Sequence, residues 1–97
     1  MIAKLHVKDD TTIVSCCDDE LIGKVIEDGI KQLDLANDFY KGEKVTEVEA
    51  GDLIRNADQV NLVGKQSVAI GIKEGVIEEE HVLKINEVPY AQCVVIK

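Results

Sequence analysis

Two helical periodicities enclosed between strand-like ends constrain this chain more than any other feature. At the amino end, Ala3, Leu5 and Val7 alternate with Lys4, His6 and Lys8, the period of a strand with one buried and one wet face. At the carboxyl end, Val82 to Ile85 and Ala91 to Ile96 are rich in β-branched residues. They are separated by Asn86-Glu87-Val88-Pro89-Tyr90, a closing hairpin or a longer turn. Pro89 lacks an amide hydrogen and is expected outside the ladder.

Between these ends, Thr46-Glu47-Val48-Glu49 spells a capping box, in which the Thr hydroxyl and the Glu carboxylate satisfy each other's backbone amides. It predicts a helix to about Ala57, with Ala50, Leu53, Ile54 and Ala57 on one face. Val68, Ala69 and Ile72 repeat that spacing over Lys65 to Glu74, and Gly75 stands where a left-handed C-terminal cap belongs. Strands at both ends with helices between them predict an α/β fold of the α+β type. The expected architecture is a two-layer sandwich, a small mixed β-sheet covered on one face by two or three helices. At 97 residues the chain has length for one core, hence a single domain over 1–97.

The intervening segments are less regular. Asp9-Asp10 supplies turn residues before Thr12 to Cys16, a second strand that completes a hairpin with the first. His6 falls on the polar face and is expected to be exposed rather than a metal ligand. After Cys17, Asp18 or Asp19 is placed to cap a short helix over Glu20 to Lys24, limited by Gly23. Ile30 to Leu35 reads as extended, and Phe39-Tyr40-Lys41-Gly42 as a compact turn over an edge of the core.

Composition narrows function by exclusion. Only Phe39, Tyr40 and Tyr90 are aromatic, so the core is aliphatic and rings for stacking on single-stranded nucleic acid are scarce. With 19 acidic against 11 basic residues the net charge is -8, a field that repels polyphosphate and attracts basic partners. No direct nucleic-acid binding is expected. Neither a signal peptide nor an apolar run of the roughly 20 residues that span a membrane is visible, which makes the expected location cytoplasmic. The three cysteines, two of them adjacent, form no disulfide framework and are expected as thiols.

Four blocks taken together resemble a known family: Cys17-Asp18-Asp19-Glu20-Leu21-Ile22-Gly23-Lys24, then Leu33-Asp34-Leu35 with Phe39-Tyr40-Lys41-Gly42, then Asn61-Leu62-Val63-Gly64, then Val88-Pro89-Tyr90-Ala91-Gln92. In order and spacing they are similar to the archaeal proteins grouped as domain of unknown function 424. The resemblance covers nearly the whole chain and implies an archaeal cytosolic protein with a compact α/β fold; it implies no activity. The family pattern carries histidine after the proline, where this chain has Tyr90, so no imidazole role is carried over.

Cys17 precedes an expected helix N-terminus, which favours a thiolate, while Asp18, Asp19 and Glu20 oppose it. Its plain alternative is a small buried side chain at a tight corner, and no histidine is tied to it by sequence. Zinc would need Cys16, Cys17, Cys93 and a histidine to converge, but adjacent strand residues point to opposite faces. No metal and no cofactor are expected. Asn61-Leu62-Val63-Gly64-Lys65 would present free amides and a lysine to an anion at a helix N-terminus, or Asn61 would simply cap the helix or a turn.

The leading reading is a non-enzymatic interaction or accessory domain that binds a basic protein or ribonucleoprotein through acidic surface, with Glu74, Glu78, Glu79 and Glu80 as one candidate patch and Asp18, Asp19 and Glu20 as another. No catalytic residue is assigned. The alternative is a small-ligand-binding or enzymatic domain whose site unites Cys17, Asp18, Asn61, Gly64, Tyr90 and Gln92, a pocket if the sheet brings the blocks together.

Overall fold

The amino-terminal hairpin forms as expected. In the computed structural model, which describes residues 1–96, β1 (Ile2–Lys8) pairs antiparallel with β2 (Thr11–Cys17). Asp9 and Asp10 both take positive φ, 50° and 65°, the mirror-image turn whose twist suits a two-residue hairpin and which Asp tolerates. Downstream come β3 (Val25–Asp28), β4 (Lys31–Asp34), β5 (Glu43–Lys44), α1 (Glu47–Asn56) and β6 (Gln59–Val63). The chain closes with α2 (Lys65–Lys73), β7 (Leu83–Ile85) and β8 (Val88–Val94).

Six strands make one mixed sheet in the order β5-β1-β2-β6-β8-β7, and β3-β4 is a separate two-stranded ribbon. β2 and β6 run parallel at its centre; the other neighbours are antiparallel. The two helices share one face of this sheet, as a two-layer sandwich requires. Ala50, Ile54 and Ala57 of the α1 end and Val68 and Ile70 of α2 join Ala3, Val14, Cys16, Val60, Leu62 and Ala91 in one buried cluster.

The helix signals were accurate because they are local. Thr46 accepts from the Glu49 amide at 3.1 Å, and Glu49 accepts from the Thr46 amide at 2.9 Å, so the capping box is complete. Gly75 ends α2 at φ 77°, its amide donating back to Ile72 O at 3.0 Å.

Other expectations fail for physical reasons. Of the apolar β1 residues only Ala3 is buried; Leu5 and Val7 are 52% and 68% exposed, Leu5 lining an open groove beside Leu53 and Asn56 of α1 instead of being covered by the helix. The helix expected over Glu20 to Lys24 is a single 3-10 turn, Asp19–Leu21, stopped before Gly23 at φ 86°. Pro89 lies inside the β8 ladder rather than outside it. Its carbonyl accepts from the Gly64 amide at 2.8 Å. The missing amide hydrogen would face β6 just where that strand stops, so no ladder bond is lost.

The reverse face of the sheet is also partly covered. Cys17, Leu35 and Val63 form a second buried cluster with Leu21, Ile22, Ile26, Leu33, Tyr40, Val88 and Tyr90, supplied largely by the β3-β4 ribbon and its flanks. The Asp38–Tyr40 turn lies over β1 and β2: the Phe39 carbonyl accepts from Ser15 Oγ at 2.9 Å and contacts His6 Nε2 at 3.0 Å. His6 is therefore half-buried, stacked on the Phe39 ring at 4.2 Å, and not free on the surface as its alternation suggested.

Leu62 is wholly buried at the middle of the central strand. Leu62→Ala should lower unfolding stability by about 3 kcal/mol through lost transfer energy and a cavity, read as a shift in the denaturant midpoint at unchanged slope.

Candidate functional site

The register of the parallel pair builds the site. Cys17 pairs with Val63 as the last rung between β2 and β6, so the next residues, Asp18 and Gly64, meet beyond the ends of both strands. The Asp18 amide donates to Val63 O at 3.1 Å. Its side chain turns over the first turn of α2. Oδ2 accepts from the Gln66 amide at 3.0 Å, and Oδ1 accepts from the Ser67 amide and the Ser67 hydroxyl, each at 2.8 Å.

Asp18 is thus the N-terminal cap of α2, delivered from another strand. The expectation that it caps the short helix following it is wrong: that turn has no side-chain cap. The residue at the ordinary capping position is Gly64, which has no side chain to offer. Gly64 adopts φ 104°, and a Cβ there would stand 2.3 Å from Asp18 Cγ. Glycine is required twice over, by the backbone angle and by the approach of the carboxylate.

This arrangement overturns both readings of Asn61. Asn61 sits within β6, flanked by Ser15 on β2 and Gln92 on β8, and caps nothing. The helix N-terminus beyond it offers no free amide pair for an external anion, since Asp18 already occupies the Gln66 and Ser67 amides in the manner an anion would.

Four of the six sequence candidates, Cys17, Asn61, Tyr90 and Gln92, share the reverse face of the sheet through the β2-β6-β8 register. The other two, Asp18 and Gly64, lie at the strand ends, with the Asp18 carboxylate turned to α2. The six differ in availability. Cys17, Asp18 and Gly64 are buried, Asn61 and Tyr90 half-buried, and Gln92 exposed. A surface groove of about 290 Å³ takes Gln92 alone from this set.

The thiols are not poised for chemistry. Burial first, then Asp18, Cys16, Glu20 and Asp19, pushes Cys17 up to about 12, opposite to the shift a nucleophile needs. Its Sγ donates to Asp18 O at 3.5 Å. Cys16 lies on the helix side of the sheet and is raised by burial, while the Ser67 hydroxyl beside it acts in the lowering sense. The two neighbours are both wholly buried yet belong to different clusters, so they cannot share an ion. Among the described residues, Glu78, Glu80 and His81 bring ligand atoms within 4.8 Å of one another, all exposed; such surface groups commonly hold no ion.

Ser67 was missed from sequence, as was the role of Gln66. One signal was available: Gly64 before a helix leaves its first amides without a local cap, which calls for a partner from elsewhere.

The molecule so defined is a small α/β sandwich with a helix-bearing face, a ribbon-covered face and a cap from one parallel strand to the helix after its neighbour. The chain belongs to the family described as Protein of unknown function (DUF424), whose sequence model matches residues 6–96. The fold is similar to the crystal structure of an uncharacterized conserved protein from Methanopyrus kandleri, with a TM-score of 0.85 at 21% identity, covering 97% of this chain and 90% of that one. No curated protein matches it in sequence. Among the described residues, no helix is long and apolar enough to cross a membrane.

Asp18→Ala strips the partner from two amides and one hydroxyl in a buried place, and should cost about 3 kcal/mol or more. Gly64→Ala should cost a similar amount. The double variant should be far from additive, with a coupling energy above about 1 kcal/mol, because both changes break one contact. Additive losses in a denaturant double-mutant cycle would contradict the shared cap.

A second expectation concerns alkali. An unfolded thiol ionises from near its ordinary pKa of about 8.5, whereas folded Cys17 holds its proton to about 12. Between those values the folded state binds more protons, so stability falls as pH rises, with a slope approaching about 1.4 kcal/mol per pH unit. Cys17→Ser should flatten this loss in unfolding curves taken from pH 9 upward, where the wild type declines steadily.

Proposed function

We infer that this protein is a non-enzymatic interaction or accessory domain that binds a basic protein, or the protein part of a ribonucleoprotein, through acidic surface. The observation that carries the reading is the placement of its carboxylates. Of the 19 acidic side chains, Asp18 is buried, Asp58 and Glu74 are half-buried, and all others are exposed. The charge is therefore displayed rather than gathered into a pocket, and it acts on encounter with oppositely charged partners.

The residues best able to do chemistry support the same reading by being otherwise engaged. The Asp18 oxygens already accept three hydrogen bonds, and the Cys17 thiol is held protonated. The alternative, a small-ligand or enzymatic site near Cys17, Asp18, Asn61 and Gln92, would have to open the cap of α2 to use its most reactive members. An archaeal cytosolic setting belongs with the proposal.

Affinity capture from an archaeal extract, at low and at moderate salt, tests it. The tagged protein should retain basic proteins at low salt and lose them as salt screens the charges. A variant with Glu78→Lys, Glu79→Lys and Glu80→Lys should retain fewer of them. Failure to capture any reproducible basic protein at either salt would count against the reading.

A further inference from the structure

β8 is left half-unpaired by the strand that should cover it. On its inner side β8 runs beside β6 from Val63↔Tyr90 to Gln59↔Val94. On its outer side β7 is only three residues long and pairs with Val88, Pro89 and Tyr90 alone. The cause is local. The 3-10 turn Glu79–His81 directly precedes β7, its bonds running from the His81 amide to Glu78 O and from the Val82 amide to Glu79 O. That turn peels the chain away just where it would otherwise continue opposite Ala91 to Val94.

The direction of each β8 backbone group follows from two bonds. The Gly64 amide donates to Pro89 O and the Val95 amide donates to Asp58 O, each at 2.8 Å, so the odd-numbered residues turn their backbone groups toward β6. Even-numbered residues therefore face outward. β7 meets those of Val88 and Tyr90; beyond it, the amide and carbonyl of Gln92 and of Val94 point at an edge that, among the described residues, no strand covers.

The edge is not defended in the usual ways. Natural open edges carry charge, proline or a bulge against pairing with other chains, but no charged residue occurs from Val88 to Ile96, and Pro89 sits where β7 already pairs. Instead a groove of about 290 Å³ runs along it, with Val76, Ile77, Ala91 and Cys93 among its lining and Glu78 and His81 at the same opening. Val94 is 67% exposed and Ile96 94%. Glu79 and Glu80 follow Glu78 on the peeled turn, also exposed.

We propose that the open edge of β8 at Gln92 and Val94 is a docking site for an extended, basic segment of a partner protein, which adds to the sheet as a strand end to end with β7. Main-chain bonds to Gln92 and Val94 hold the segment, alternate apolar side chains enter the groove, and lysine or arginine side chains meet Glu78, Glu79 and Glu80. Charge selects this occupant over a second copy of the same chain: two molecules of net charge -8 pairing edge to edge would bring like-charged turns together. The site rests on the interaction reading above and gives it a place and a geometry.

The probe is a blocked hexapeptide of alternating lysine and valine, with alternating glutamate and valine as the control, followed by amide NMR and amide hydrogen exchange on the intact protein. The basic peptide should slow exchange of the Gln92 and Val94 amides at least tenfold, and the acidic peptide should leave them unchanged. Val94→Pro deletes only an outward donor and should weaken binding at least tenfold. Glu78→Lys with Glu80→Lys, on the exposed turn, should do the same and guards against a Val94→Pro variant that does not fold.

Basic peptide that binds without protecting Gln92 and Val94 overturns the edge site while leaving the basic-partner reading intact. Absence of any binding overturns both. Protection of the same amides by protein concentration alone, with a dimer in sedimentation, overturns the proposed occupant in favour of self-association.

Discussion

A single buried carboxylate joins the two halves of this fold. Asp18 directly follows one central strand and Gly64 the other, and Asp18's bonds to the Gln66 and Ser67 amides fix the N-terminus of α2 to the sheet. An α-helix leaves its first amides without partners, and a buried one must find them in the protein. α2 finds its partner in Asp18, just past the end of β2, a strand far from it in sequence but paired with β6, which leads into α2. The cap thus holds the crossover in register: slide β6 by one residue against β2 and Gly64 no longer faces Asp18, while Val63 and Leu62 exchange faces.

The same register explains the adjacent cysteines. A central strand covered on both faces needs small apolar side chains in both directions, and Cys16 and Cys17 supply one each, both without solvent contact. Free cysteine packs as a small hydrophobe. The high pKa of Cys17 follows from this position rather than from a mechanism: low polarity and neighbouring carboxylates both disfavour the thiolate.

What could be read from the sequence and what could not divides by range of interaction. The Thr46 box, the Gly75 cap and the alternating strands declare themselves within a few residues, and with them the class of fold. β6 did not. Its five residues, Gln59–Val63, are too few to show a period, and a strand buried among neighbours loses alternation, so Asn61 passed for a cap beside Gly64. The placement of Cys17, Asn61, Tyr90 and Gln92 on one face, with Asp18 and Gly64 at the strand ends, was foreseeable only as a possibility of the blocks, because it depends on β2, β6 and β8 lying side by side. Their burial, which decides what they can do, depends further on the β3-β4 ribbon, whose first strand gave no sign in sequence. The open edge of β8 was equally hidden, since it arises from where β7 stops.

Four blocks of the sequence meet at or beside the cap. Cys17 and Asp18 meet Val63 and Gly64; the Gly64 amide binds Pro89 O; Tyr90 pairs with Val63. The Gly23 amide donates to Leu35 O at 2.9 Å and the Leu35 amide to Lys24 O at 2.8 Å, folding the β3-β4 ribbon so that Leu35 packs with Cys17 and Val63. At Gly42 a Cβ would stand 2.0 Å from Ala3 O, so the turn bearing Phe39 and Tyr40 also needs its glycine to close over β1. Each of these blocks therefore has a structural role, and the Cys17-Asp18 pair is accounted for by packing and capping without catalysis. The open edge lies toward the other end of β8, away from Val63 and Gly64. The cap thus holds one end of the sheet, and the outward backbone groups of Gln92 and Val94 lie toward the other.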